Sequence, residues 1–301
     1  MKALVVGASG QDGTYLSNLL LDKGYEVYGL AKDAVRWSRK IEGDVLDIHS
    51  LHKAICIAEP DEIYNCAAVL RGTNESPREA FEVNAMGTVN LLEAVRYENP
   101  DIRFCQCSSS EMFAPVNVEA QDEQTPIGPR NPYGVSKAAA HMAAVNYREM
   151  YDMKISTAIL FNHESPLRTD EYITKKITDG VREVLLGRRK KIQLGNLDIR
   201  RDWGHARDYV KAMWLMLQNE PDDFVIATGK HHSIAEFAAM AFNMVDLNWQ
   251  DYVEQDPEYL RRNDVPLLCG NPEKAKRVLG WEPETDIMGI IHEMLYQREA
   301  A

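Results

Sequence analysis

The sequence predicts an α/β protein: a doubly wound parallel sheet with a smaller, partly interleaved C-terminal lobe. Three observations carry that expectation. Short β-rich runs alternate with helical patterns as far as residue 160, and strands separated by helices imply crossover connections and parallel pairing. Gly7, Gly10 and Gly13 form a G-x-x-G-x-x-G turn between the first strand and the first helix. After residue 161 the rhythm loosens, and loops with Pro, Asn and Gly lie between the elements.

Each element follows from local pattern. KALVVG (2–7) is a short apolar run that reads as a buried strand. DGTYLSNLLLDKG (12–24) sets Tyr15, Leu16, Leu19 and Leu20 at helical spacing and stops on Gly24. YEVYGL (25–30) is a strand, SLHKAICIAE (50–59) a helix stopped by Pro60, and EIYNCAA (62–68) a strand. A long helix is expected over 80–98, a strand over 102–108, a helix over 132–151 and a strand over 154–160. Beyond these come helices near 173–186 and 206–218, a strand near 223–228, and helices near 233–245 and 271–279. The cofactor-binding unit is therefore expected over 1–161, with 205–229 returning to it, and a substrate lobe over 162–301.

The 301 residues carry a net charge of −12, from 34 basic and 46 acidic side chains. That speaks against nucleic acid, which needs a basic face to replace counterions. No apolar run reaches the ~18–20 residues that cross a bilayer, and the N-terminus lacks the long apolar region of a signal peptide. The cysteines at 56, 66, 105, 107 and 269 have no metal-ligand spacing and read as buried structural residues, so a reducing cytoplasm is the expected compartment. The eight histidines include His231-His232, yet no carboxylate or cysteine partner has metal spacing, so no metal is expected. There is no G-x-S-x-G elbow, and GRRKK (187–191) reads as a solvated helix end.

Glycines let a backbone turn tightly and approach a pyrophosphate, which then rests on a helix N-terminus. In its strand–turn–helix setting the turn GQDG, with Gly10, Gln11, Asp12 and Gly13, therefore points to a dinucleotide. Asp33 after the second strand would accept from a ribose hydroxyl and select NAD, whereas Lys32 and Arg36 would meet the 2′-phosphate of NADP; the balance favours NADP. Asp44, followed by Val45, closes a short strand where a carboxylate can accept from an adenine amino group. Ala67 and Ala68 end another strand with small side chains that admit a cofactor. Tyr133 and Lys137 lie four apart on one helical face, where an ammonium beside a phenol favours the phenolate and lowers its pKa towards acid/base use.

The glycine turn, Ser109, Tyr133 and Lys137 together resemble the signature of the extended short-chain dehydrogenase/reductases. Within them the chain resembles the GDP-mannose 4,6-dehydratase family along nearly its whole length. The stretches that carry this are GQDGTYL, PDEIYNCAA, SSSEMF, PRNPYGVSK, VNYREMY, LFNHESPLR, KKIT, LGNLDIRRDWGHARDYV, DDFVIATG and GNPEKAKRVLGW. The resemblance implies a two-lobed Rossmann fold, a tightly held NADP and a GDP-sugar substrate. It implies that Ser109 binds the sugar's 4-hydroxyl, that Tyr133 takes that hydroxyl's proton, and that Lys137 holds the cofactor ribose and tunes Tyr133. Glu111 would remove the C5 proton. His163 and Arg168 match positions near the cofactor. Asn162, Lys176, Arg201, Arg261 and Asp264 match positions that grip the nucleotide diphosphate and its ribose. The chemistry agrees, since Arg and Lys suit a pyrophosphate and a carboxylate suits ribose hydroxyls.

The chain departs from the family at identifiable places. Ser109 stands where Thr is usual. The loop after the second strand is cut to AKDAVRWSRK and lacks the paired arginines that reach the cofactor and a neighbouring subunit. After NCAA the family has Gln-Ser and a longer loop, here Val69-Leu70-RGTNESP, and the family's FRP becomes LRR at 260–262. The altered stretch motivates an alternative, an NADPH-dependent 4-reductase or epimerase of a related GDP-sugar. A non-catalytic dinucleotide sensor would be expected to lose Tyr133 or Lys137, and both are present. Val89, Leu92 and Val95 on one helix and Ala139, Ala143 and Tyr147 on another suggest a second apolar face, hence a homodimer, with a tetramer only if Arg36 and Trp37 reach a neighbour.

Overall fold

The computed structural model describes residues 1–33, 35, 39–69, 76–115, 119–260 and 265–297; of the expected site residues, Arg36, Arg261 and Asp264 lie outside them. Strands β1 (Lys2–Val6), β2 (Glu26–Ala31), β3 (Arg39–Glu42), β4 (Glu62–Asn65), β5 (Arg103–Ser109), β6 (Ile155–Leu160) and, much later in the chain, Asp223–Ile226 make one seven-stranded sheet. Its order runs from Asp223–Ile226 through β6, β5, β4, β1 and β2 to β3, and every pairing is parallel. The helices between are α1 (Gln11–Asp22), α2 (Ile48–Ala58), α3 (Pro77–Phe81), α4 (Gly87–Glu98) and α5 (Pro132–Tyr151).

Alternation along β1 shows why both sheet faces must be covered. Ala3 and Val5 enter a core with Leu16, Leu20, Met213 and Met216, while Leu4 and Val6 enter the opposite one with Leu51, Ile55, Leu91 and Val95. The order reverses at β1, so the carboxyl ends of β1 and β4 open a crevice there.

The long helix expected over 80–98 is interrupted. α3 passes through a wide π-turn, Glu82–Met86, before α4 begins, and the turn carries the buried Asn84. One extra residue in a helical turn re-aims its side chains, a device common at functional sites.

After β6 the chain builds β7 (Asn162–Glu164), α6 (Ile173–Leu185), β8 (Ile192–Leu194), β9 (Arg200–Arg201), β10 (Trp203–His205) and α7 (Ala206–Leu217). β11 (Asp223–Ile226) is the late edge strand of the main sheet. β12 (His232–Ser233), α8 (Ile234–Asn243), β13 (Val253–Gln255), β14 (Leu267–Leu268), α9 (Glu273–Leu279) and α10 (Ile287–Tyr296) follow. α6, α8 and α10 enclose a separate core of Ile177, Val181, Phe237, Phe242 and Ile291. α10 and the two- and three-residue strands have no counterpart in the sequence reading. A fourth cluster, including Phe113, Ile159, Phe161, Val225 and Leu268, joins main-sheet residues to the small strands. Buried Asp202 adds a polar tie, accepting from the backbone and hydroxyl of Thr228 and from the amides of Gly229 and Gly270.

Candidate active site

At the crevice, Gly7 has φ +82°, and a Cβ there would stand 2.7 Å from the Ala67 nitrogen; one on Gly13 would stand 2.4 Å from the Gly7 carbonyl oxygen. Only glycines let this turn lie against the end of β4. Gly10 caps α1 without a side-chain bond, which leaves the helix's first amides to an anion. Asp44 follows β3, bonds the Lys32 ammonium at 2.7 Å and accepts from Leu46 N. Burial pushes the Asp44 carboxyl up, but Lys32 and Leu46 outweigh it and its pKa falls below the ordinary value. Val45 is buried beside them and its carbonyl accepts from Asn90. Lys32, Glu42, Gly43, Asp44, Asp47 and Ser50 line a concavity of about 340 Å³ at this end.

A charged pair secures the turn to β7. His163 Nε2 lies 3.0 Å from both Asp12 oxygens, and its Nδ1 donates to the Phe161 carbonyl at 2.7 Å. A carbonyl and an ionised carboxylate only accept, so with Asp12 ionised both ring nitrogens carry hydrogen. Burial pushes His163 down, yet Asp12 more than reverses this and its pKa is raised. Burial likewise pushes Asp12 up, but His163, with help from Arg168 and Gln11, holds its carboxyl at about 2. Gln11 completes the junction, donating to the His163 carbonyl and accepting from Ser165.

Ser109 ends β5, buried, with its hydroxyl accepting from Glu111 N at 3.3 Å. Ser109 lies near enough to the Tyr133 phenol to ease its pKa downward. Lys137, one turn along α5, is 4% exposed and donates to the Cys107 carbonyl at 2.5 Å. The expected lowering of the Tyr133 pKa does not appear in the protein alone. Burial pushes the phenol up and Glu111 adds to it, against the easing by Ser109 and Arg168. Lys137 meanwhile spends a hydrogen bond on Cys107, and burial lowers its own pKa. In the protein alone the phenol's pKa is thus raised rather than lowered.

Glu111 lies on a 3₁₀ turn, Ser110–Met112, and its carboxylate accepts from Asn131 Nδ2 at 2.8 Å. Arg168 stacks its guanidinium 3.3 Å over the Tyr172 ring, with Nε 3.2 Å from buried Glu164. Asn162 opens β7 opposite Trp203. Lys176, on α6, sits 3.6 Å over the Tyr259 ring, and burial together with Arg189 lowers its pKa. Arg201 is buried on β9 and donates to the carbonyls of Arg200 and Val265. The structure thus gathers Asp12, Ser109, Glu111, Tyr133, Lys137, His163 and Arg168 within one electrostatic neighbourhood. Lys176 and Arg201 stand on separate elements of the smaller lobe.

The sequence reading missed Asn84. It is 2% exposed, accepts from Val69 N and donates to both the Val69 carbonyl and Ser136 Oγ, so it pins the segment holding Ala67 and Ala68 to α5. Its signal was a polar residue on an otherwise apolar helical face.

The sequence profile of the family described as GDP-mannose 4,6 dehydratase matches residues 4–294. The chain is 43% identical to GDP-mannose 4,6 dehydratase 1 of Arabidopsis thaliana, with 97% of this chain and 88% of that protein covered. It is 38% identical to a GDP-mannose 4,6-dehydratase of Yersinia enterocolitica, with 98% and 92% covered. Among solved structures, its fold is similar to a Bacillus anthracis dTDP-glucose 4,6-dehydratase in complex with NAD (TM-score 0.85, 23% identity, 98% and 95% covered). It is also similar to a Pseudomonas aeruginosa protein, RMD, complexed with NADPH (TM-score 0.85, 22% identity, 98% of both chains).

Proposed function

The chain belongs to the GDP-mannose 4,6-dehydratase family, and from that premise we propose how its own residues convert GDP-mannose to GDP-4-keto-6-deoxymannose and water. The crevice fits a dinucleotide, since α1 opens on Gly10 with no side-chain cap and its first amides are left to an anion. Gly7, Gly10, Gln11, Asp12 and Gly13 would hold the pyrophosphate, Asp44 and Val45 the adenosine, and Ala67 and Ala68 the chain's near wall. Tyr133, Lys137, His163 and Arg168 would hold the nicotinamide half. We take the cofactor to be NADP: Lys32 is 66% exposed and its surface pair with Asp44 is weakly held, so it can turn to a 2′-phosphate, the role the sequence also gives Arg36. Bound NADP supplies a recyclable store of hydride, taken from C4 and given back at C6.

Ser109 orients the sugar's 4-hydroxyl and Tyr133 accepts its proton as C4 becomes a ketone. The ketone acidifies C5, and Glu111 removes that proton. The C6 hydroxyl departs, and with the proton gained by Glu111 it makes one water; when hydride is returned at C6, C5 takes up the proton that Tyr133 gained from the 4-hydroxyl, so both residues are restored. Asn162, Lys176, Arg201, Arg261 and Asp264 would grip the GDP end. A cytoplasmic setting belongs to the same reading.

One observation carries the proposal: a carboxylate, Glu111, is held by Asn131 at the start of the helix that bears Tyr133. A plain reductase or epimerase has no elimination for that carboxylate to drive. Glu111→Gln keeps the shape but cannot take the C5 proton. Turnover should fall ~10²–10⁴-fold while C4 oxidation survives, and retention of more than about a tenth of the rate would remove Glu111 as base.

We place a homodimer on α3–α5. The expected second apolar face needs correcting here, because Leu92 and Val95 are fully buried within the subunit and Ala143 and Tyr147 pack against the same core. The residues that face outward are instead Phe81, Met86 and Tyr97 on one side and Val135, Met142, Met150 and Tyr151 on α5.

A further inference from the structure

Asn131 has two jobs in one side chain. It caps α5, its Oδ1 accepting from Gly134 N at 2.7 Å, while its Nδ2 donates to Glu111 Oε2 at 2.8 Å. The amide cannot flip, since that would set donor against donor at Gly134 and acceptor against acceptor at Glu111. Contact between the two segments is also steric: a Cβ on Gly134 would lie 2.3 Å from the Glu111 carbonyl oxygen. Gly134 directly follows Tyr133. The first turn of α5 therefore rests on the backbone of Glu111, and the amide of Asn131 reaches across to its carboxylate.

We infer that Asn131 is a positioning residue that locks the Glu111 carboxylate to the helix bearing Tyr133 and Lys137, so that the two proton-handling groups keep one fixed separation. The inference rests on Glu111 being the base for C5. Glutamate has rotatable bonds to spare, and its distal oxygen needs a donor on a rigid element to stay aimed. Asn131 supplies it from the element that also fixes the phenol. The first proton transfer, at the 4-hydroxyl, does not use Glu111, so loss of the tether should spare it. Only the elimination should slow.

Asn131→Asp isolates the tether. Asp caps a helix about as well as Asn, so the fold is kept, but the donor facing Glu111 becomes a repelling oxygen. In the cofactor-loaded protein with GDP-mannose, the melting temperature should hold while turnover falls about 10–100-fold, the scale of a misplaced catalytic group. Reduced nicotinamide should accumulate in the near-ultraviolet spectrum, because C4 is oxidised faster than C5 is deprotonated. Asn131→Ala, losing cap and tether, should lower melting temperature and turnover together. If Asn131→Asp does not fold, Asn131→Ser keeps a cap without the amide and is read the same way. A native rate in the tether variant, or a slowed rate with no reduced nicotinamide, overturns the inference. Glu111→Gln run in parallel separates the failures: if it stalls elimination and Asn131→Asp does not, only the tether is wrong. If Glu111→Gln turns over normally, or the unaltered chain leaves GDP-mannose intact, the base assignment falls and the tether with it.

Discussion

Tyr133 shows how one side chain can be recognisable in sequence while its state is not. Its spacing from Lys137 is legible from a helical period alone. That burial raises the phenol's pKa, with Glu111 and Asp12 reinforcing and Ser109 and Arg168 opposing, depends on residues up to 121 positions away that meet only in the fold. The proposed role asks this phenol to exchange a proton with the substrate's 4-hydroxyl. Tyr133→Phe should therefore lower turnover by ~10²-fold or more while leaving GDP-sugar affinity nearly unchanged, as checked by calorimetry beside rate measurement. A large loss of GDP binding would mean that the phenol is not at the reacting carbon. Ser109 and Glu111 stood out as a polar cluster after an apolar strand. Asn84 and Asn131 did not, because an amide's role is set by its partners: Val69 and Ser136 for one, Glu111 and Gly134 for the other.

At the scale of elements, the glycine turn and α1 were legible because strand, turn and helix each carry a local pattern. Their fastening to β7 was not, since Asp12 and His163 are 151 residues apart. That pair gives a pH signature with a definite sign. Asp12 is held at about 2, below its ordinary 3.8, so its contribution is present above 3.8 and is lost as pH falls through about 2. His163 is raised above its ordinary 6.5, so its contribution is full below 6.5 and is lost as pH rises through the raised value. Urea unfolding of the cofactor-free protein should show Asp12→Asn destabilised by roughly 1–3 kcal/mol between those limits, with the deficit narrowing on either side. A deficit independent of pH would mean the pair is not charged. The π-turn at Glu82–Met86 and strands such as Arg200–Arg201 escaped the sequence for a related reason. A one-residue helical insertion or a two-residue bridge has no period to detect; only packing specifies it.

At the scale of the molecule, the alternating first half announced its architecture, and the second half did not, because its small core is assembled from α6, α8 and α10, elements far apart in sequence. The exposed stripe of Val135, Met142 and Met150 on α5 should be covered by a second copy. Met142→Glu at its centre should convert a dimer to monomers in light scattering without lowering the melting temperature of the subunit, and a dimer that persists would place the interface elsewhere. The central claim concerns chemistry: the two lobes bring GDP-mannose to Glu111 and Tyr133 for an elimination in which the cofactor is restored. The direct measurement is mass spectrometry of GDP-mannose incubated with the cofactor-loaded protein and no added NADPH. A product lighter by one water, formed over many turnovers, is the predicted result. An isobaric product, or conversion that stops unless NADPH is supplied in proportion, would contradict it.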